Sequence, residues 1–250
     1  MLVISLFFSV TTFAQVDFVG HRGASYLAPE NTVSSAKLAW ELGADAVEID
    51  VYLTKDNKVM LSHDASTKRT SGVDLKIAET KSSVLRKLDV GYWKDEKYKG
   101  EKIPFIKKIL NIIPEGRVLV VEIKTGSEIL PALKKAIDKS GKMKQVTFIA
   151  FGWETILETK KLFPDNLCYW LSSEKNGLFE KMEQCKEKGL DGVDLQSKIV
   201  DKSVMDKASQ LGLDVLVWTV NDPVEARMLA NLGVVSITTD RPGWLREQMK

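Results

Sequence analysis

Val204-Met205-Asp206-Lys207-Ala208-Ser209-Gln210-Leu211-Gly212-Leu213-Asp214-Val215-Leu216-Val217-Trp218 reads as a helix, a stop and a strand. Val204, Ala208 and Leu211 fall on one helical face. Gly212 is the residue favoured where a helix ends in a left-handed turn. Val215-Leu216-Val217-Trp218 is the continuous apolar run that a parallel strand, buried on both faces, requires. The phrase recurs. Leu42-Gly43, Lys188-Gly189 and Leu232-Gly233 each close a helical stretch, and after them come Ala46-Val47-Glu48-Ile49, Gly192-Val193-Asp194-Leu195 and Val235-Ser236-Ile237-Thr238. Further strands are expected at residues 16–20, 117–123, 145–150 and 167–171, which makes eight. Val33, Ala36 and Trp40, and again Ile129, Leu133 and Ala136, supply apolar faces for the intervening helices. Eight βα units predict an α/β fold, a (βα)8 TIM barrel, with its functional groups at the C-terminal ends of the strands. The alternative is an open doubly wound sheet. It would want a glycine-rich phosphate loop after the first strand, and Gly20-His21-Arg22-Gly23 lacks the G-x-G-x-x-G pattern.

The length of 250 residues suits one such barrel, and 44% hydrophobic with 28% charged residues is ordinary for a soluble globular chain. A formal net charge of +2 argues against nucleic acid as a partner. The lysines between residues 94 and 102 are interspersed with acids, as on a solvated face. Met1 to Ala14 is almost wholly apolar or hydroxylic, yet shorter than the roughly 20 residues a membrane span needs. Thr12-Phe13-Ala14 places small residues at −3 and −1 before Gln15, as a secretory cleavage site requires, so export is expected. No Cys follows the site, and no stable membrane anchor is expected. Cys168 and Cys185 fall near the same end of the expected barrel and fit either two buried thiols or a disulfide in an oxidising compartment. The expected plan is a signal peptide at 1–14 and a barrel at 15–250, interrupted after the second strand by residues 64–104. That connection far exceeds the 2–6 residues of ordinary βα loops, and it is read as a small cap insertion over the mouth, with Tyr92 and Trp93 as covering aromatics.

The chain contains two histidines, and each ends a short apolar run. His21 and Arg22 close the first strand. Glu48 and Asp50 share one face of the second, and His63 with Asp64 follows the extension behind it. Glu122 and Lys124 end the third strand, Phe151 the fourth and Trp218 the seventh; Asp240 follows the eighth. Parallel strands are normally apolar, and an unpaired buried carboxylate is prohibitively costly, so the acids demand an explanation. One divalent cation, Mg²⁺ or Ca²⁺, among Glu48, Asp50 and Glu122 would supply it, since an all-oxygen set suits a hard ion. Salt bridges to Lys124 and Arg22 are the plainer alternative. Glu30 and Asn31 are expected to open the first helix, Asn31 as its N-cap. Asp64 and Asp240 are expected to orient their neighbours. Two imidazoles, a guanidinium and paired carboxylates suit cleavage of a phosphate ester, because imidazole titrates near neutrality.

His21-Arg22-Gly23, Pro29-Glu30-Asn31-Thr32, Glu48-Ile49-Asp50-Val51, Thr54-Lys55-Asp56, His63-Asp64 and Val121-Glu122-Ile123-Lys124 together resemble the glycerophosphodiester phosphodiesterase family. The likeness runs on through Leu88-Asp89-Val90-Gly91 and Gly100-Glu101-Lys102-Ile103-Pro104 to Trp218-Thr219-Val220-Asn221. It covers essentially the whole chain after Ala14. The resemblance implies metal-dependent hydrolysis of small-molecule glycerophosphodiesters to glycerol 3-phosphate and an alcohol. It implies His21 and His63 as the acid–base pair, Arg22 and Lys124 as phosphate contacts, Glu48, Asp50 and Glu122 as metal ligands, and Phe151 and Trp218 as aromatic walls. Ala150 stands where the family usually shows Ser, and Phe105-Ile106-Lys107-Lys108 replaces a more acidic stretch. Phospholipase C-like cleavage of a lipid head group, a non-catalytic barrel that binds phospho-alcohols, and a Schiff-base lyase using Lys124 are the competing functions.

Overall fold

A computed structural model of the chain describes residues 16–250; the expected leader, Met1 to Ala14, lies outside them. Its strands are β1 (Asp17–Gly20), β2 (Ala46–Leu53), β3 (Val59–Leu61), β4 (Val118–Ile123), β5 (Val146–Ala150), β6 (Cys168–Ser172), β7 (Gly192–Gln196), β8 (Asp214–Trp218) and β9 (Ser236–Thr239). All but β3 pair in parallel, and β1 pairs with both β2 and β9, which closes the barrel. This is the (βα)8 TIM barrel. β2 overruns its expected end and folds back through β3, pairing Val51 with Leu61 and Leu53 with Val59. That hairpin returns the chain to the mouth of the barrel at His63.

Alternation along each strand separates two cores. Val47, Ile49 and Val51 of β2, Leu119 and Val121 of β4, and Val193 and Leu195 of β7 point outward into the main core beneath the helices. Val19, Ala46, Val120, Ile149, Tyr169, Leu171 and Leu216 point inward and fill the barrel. Glu48, Asp50, Glu122 and Asp194 share the inward parity, so they project into the interior. Helix Lys202–Leu211 shows why the helical segments form where they do. Asp201 caps its start by accepting from Val204 N, Val204 and Ala208 bury its inner face, and Gly212 ends it at φ +65°.

The N-terminal end of the barrel is electrostatically closed. Asp45 accepts from Phe18 N (2.9 Å), from Arg117 Nη1 (3.0 Å) and from Arg246. Asp191 accepts from Lys160 Nζ (2.9 Å) and Cys168 N (2.8 Å), and Tyr169 Oη donates to Asp214 (3.0 Å). Cys168 and Cys185 are free buried thiols of the main core, each pushed up to about 12 by burial.

Residues 64–104 have a small core of their own, Ile77, Leu85, Val90 and Ile103 around Met60. None of them lines the cavity described below. Lys94 Nζ donates to Ser25 O (2.6 Å), Tyr98 Oη to Leu27 O (3.1 Å), and Ser34 Oγ to Glu101 (2.6 Å). These bonds tie the insertion to the segment between β1 and helix Val33–Glu41. Tyr92 and Trp93 are exposed and do not line the cavity described below. Among the described residues no helix is long and apolar enough to cross a membrane.

Candidate active site

A cavity of about 150 Å³ opens at the C-terminal end of the strands. His21, Arg22, Glu48, His63, Glu122, Lys124, Phe151 and Trp218 line it, together with Ile149, Leu171, Asp194 and Thr238. Asp50 lies against these residues, almost fully buried, so the barrel brings every predicted site residue together. At roughly 30 Å³ per water the space equals about five waters, enough for a short polyol and far below a drug-sized pocket.

Three carboxylates converge at one side. Asp50 and Glu122 are direct neighbours across β2 and β4, and Glu48 is two residues before Asp50 on the same face. Ligand oxygens of the three lie within 4.8 Å of one another. Arg22 N donates to Glu48 Oε2 (2.8 Å), Asn31 Nδ2 to Asp50 Oδ2 (2.7 Å), and Lys124 Nζ to Glu122 Oε1 (2.7 Å). Glu48 Oε1 and Asp50 Oδ1 have no hydrogen-bond partner. Two ionised carboxylates about 4 Å apart repel by roughly 4 kcal/mol at an effective dielectric of 20. Lys124 and Arg22 offset part of this, and the remainder appears as trapped protons. Burial, then repulsion from Asp50 and Glu122, raises Glu48 well above the usual carboxylate range. Burial and Asp50 likewise push Glu122 up to about 7 despite its lysine. Salt bridges alone therefore leave the cluster unsatisfied. The orphaned oxygens and the all-oxygen donor set fit a hard divalent cation.

Arg22 reaches the site from a left-handed backbone, φ +54°, and Asn31 from φ +56°. Asn adopts that conformation readily; an arginine held there costs about 1 kcal/mol or more and persists only where surrounding bonds determine it. Those bonds are present: Arg22 N is held by Glu48, and Arg22 O accepts from Asn31 N (3.0 Å) and Ser35 Oγ (2.9 Å). Gly23 next to it has no room for a side chain, since a Cβ would meet the Ser35 backbone at 2.4 Å. The Arg22 guanidinium pairs with Glu30 (3.1 Å) and lies 3.5 Å from Asp50.

Two expectations are corrected here. Asn31 is not the N-cap: Thr32 caps the helix by accepting from Ser35 N (3.1 Å), with Ser35 Oγ accepting from Thr32 N in return. Asn31 instead clamps Asp50, donating to its carboxylate and accepting from its backbone N–H (2.9 Å). Glu30 does not serve the helix dipole either. It accepts two bonds from Arg69 (2.7 and 2.8 Å), and Arg69 Nε donates to Asp64 (2.6 Å). No local pattern marks Arg69, which belongs to the insertion and meets Glu30 only in space.

Each histidine is oriented by an aspartate. His21 Nδ1 donates to Asp240 Oδ1 (2.7 Å), and His63 Nδ1 donates to Asp64 Oδ1 (2.8 Å). Both bonds leave Nε2 as the free ring nitrogen. Asp240 is fixed in turn by Ser25 Oγ (3.0 Å) and Asn221 Nδ2 (2.6 Å). Burial works against the charge on Asp240, but the bonds from His21, Asn221 and Ser25 hold its pKa well below the usual range. Burial pulls His63 below its ordinary value, against the opposing attraction of Asp50 and the bond to Asp64.

Phe151 and Trp218 meet edge to face on the rim, centroids 5.6 Å apart, and Lys124 Nζ lies 5.9 Å from the Phe151 ring. Burial lowers the lysine pKa, but attraction to Asp50 and Glu122 outweighs it and raises the value. An amine kept protonated this firmly is a poor nucleophile, which disfavours imine chemistry.

The chain matches the model of the glycerophosphoryl diester phosphodiesterase family over residues 21–244. It is 29% identical over 232 residues to a glycerophosphodiester phosphodiesterase of Caldanaerobacter subterraneus, covering 90% of this chain and 93% of that protein. It is 27% identical to a lysophospholipase D of Mus musculus, covering 92% and 84%. In structure it is similar to an Oleispira antarctica phosphodiesterase solved in complex with the product sn-glycerol-3-phosphate. The TM-score is 0.88 at 27% identity, with 93% of this chain and 96% of the other covered.

Proposed function

The chain belongs to the glycerophosphoryl diester phosphodiesterase family, and from that premise we propose that it hydrolyses glycerophosphodiesters to glycerol 3-phosphate and an alcohol with the aid of one divalent cation. It is a phosphodiester hydrolase, as its relatives are named. The observation that carries the reading is the pair of aspartate-oriented histidines facing one small cavity beside an unsatisfied carboxylate cluster.

Arg22 grips phosphate oxygens through its guanidinium while Lys124 adds a point charge, so affinity centres on the phosphodiester. Phe151 and Trp218 offer flat apolar surface to a short carbon backbone. Glu48, Asp50 and Glu122 would hold Mg²⁺ or Ca²⁺, which when bound neutralises charge on the phosphate. The free Nε2 of one histidine accepts a proton from the attacking hydroxyl, and that of the other donates one to the departing alkoxide. The attacking oxygen is that of water or of the glycerol 2-hydroxyl. The second route passes through a cyclic phosphate, which chromatography of the products detects.

Pure protein incubated with a panel of glycerophosphodiesters, with and without chelator, tests the proposal. Release of glycerol 3-phosphate that stops on chelation supports it. Turnover unaffected by exhaustive chelation removes the cation from it. Release of inositol phosphate from a phosphoinositide, with glycerophosphodiesters untouched, points to phospholipase C-like cleavage instead. We also propose export, on the strength of the apolar run ending at Ala14. Mature protein from the native host then begins near Gln15 outside the cytoplasm, and an intact Met1 in a cytosolic fraction overturns it.

A further inference from the structure

Asp194 is a buried acid at the cavity that the chemistry above leaves unused. Its neighbours Val193 and Leu195 point outward into the helix-facing core, so alternation turns its side chain into the barrel, where it lines the cavity. It is 2% exposed, and its Oδ1 has no hydrogen-bond partner. Asp191 and Asp214, at the opposite end of the barrel, are both partnered. Burial, then repulsion from Glu122, raises the Asp194 pKa well above the ordinary range, and no cation is set against it. A buried polar atom left unsatisfied is rare in a native fold and calls for a partner from outside it.

The surroundings narrow what that partner is. Ile149 and Leu171 flank the cavity with apolar surface, Thr238 adds a hydroxyl, and Arg22 and Lys124 mark where the phosphate sits. What fits is a few carbons bearing a hydroxyl, attached to a phosphate. We infer that Asp194 hydrogen-bonds a hydroxyl of the glycerol unit and is the contact by which the site selects a free polyol over a deoxygenated or acylated one. The inference rests on the phosphodiesterase proposal for the same site. It does not depend on the charge of Asp194, because a carboxyl keeps an acceptor oxygen in either protonation state.

The test compares two chromogenic diesters, glycerol and propyl phosphates sharing one nitrophenol leaving group, with the metal-loaded enzyme. A site built to bind a hydroxyl rejects the analogue lacking it, so wild type should favour the glycerol ester by at least about tenfold in kcat/KM. Asp194→Leu should lower kcat/KM for the glycerol ester by ~10–100-fold and leave the propyl ester within about threefold. Asp194→Asn, which keeps one acceptor oxygen and nearly the same shape, should recover part of the preference. Equal losses on both esters, or an unchanged ratio in both variants, overturn the assignment. Calorimetry with sn-glycerol 3-phosphate against propyl phosphate separates this from the reaction itself. Equal wild-type affinity for the two phosphates overturns the role of Asp194 while leaving the hydrolase proposal intact. Selective binding of sn-glycerol 3-phosphate by a wild type that cleaves no diester overturns the hydrolase proposal and supports Asp194.

Discussion

At the N-terminal end of the barrel Asp45 accepts from two arginines and a backbone N–H; at the C-terminal end Asp50 keeps one oxygen with no hydrogen bond at all. The contrast extends to four further acids. Asp191 and Asp214 are partnered at the first end, while Glu48, Asp50 and Asp194 each hold an orphaned oxygen at the second. One set of strands carries both. Acids are therefore tolerated inside this barrel when donors meet them, and a buried oxygen that no donor reaches fits a ligand from outside the fold. Substitutions at the first end should act on stability, and those at the second on chemistry.

The largest break in that division comes from the histidines. His21→Ala and His63→Ala should each fold as wild type, by thermal melting, and lose about 10²–10⁴-fold in kcat. Near-wild-type turnover in either would remove it from the acid–base pair. Next comes Asn31→Ala, which frees the Asp50 carboxylate from its clamp. Loss of such a supporting bond should weaken divalent-cation affinity by roughly 10–100-fold, measured by calorimetry. An unchanged affinity would make Asn31 a packing residue. At the other end, Asp45→Asn should cost about 1–3 kcal/mol of stability in a denaturant titration, since the group is part-exposed. Its kcat should not change, and a fall in kcat at unchanged stability breaks the division of labour.

The smallest effect is a dependence on pH. Glu122 titrates near 4.5 when unfolded and is pushed up to about 7 when folded. Between those values the folded chain binds more protons than the unfolded one, so stability falls as pH climbs through that window. A divalent cation held by the proposed ligands would take the place of the proton. Its addition should raise Tm by a few degrees more at pH 8 than at pH 5, and the reverse order would count against Glu122 as a ligand.

The barrel and much of the site were legible because their signals are local. Helix–Gly–strand phrases mark four of the units, and charged residues at strand ends stand out against apolar runs. Three things were not. Asn31 carries a good N-cap side chain next to a helix start, and only the neighbouring strand β2 reveals its use for Asp50. Arg69 acts through Glu30, 39 positions away, with no pattern linking them. The insertion's placement depends on bonds to Ser25 and Leu27, which its own sequence does not encode. Asp194 is different, because the signal was there. Between Val193 and Leu195, both outward, period-2 alternation turns it inward, yet a short apolar run after a glycine reads simply as a strand.

The bond between His21 and Asp240 joins residues 219 positions apart, and Asn221, which braces Asp240, is also late in the chain. The hydrogen-bond partners of the three carboxylates, Arg22, Asn31 and Lys124, by contrast all lie in the first half of the chain. During synthesis the carboxylate cluster and His63 thus emerge in the first half of the chain, while His21 waits for its orienting carboxylate almost to the end. A polypeptide clipped before Asp240 loses the carboxylate that sets its first imidazole. Closure of the barrel by its last strand and the orientation of His21 are then one event.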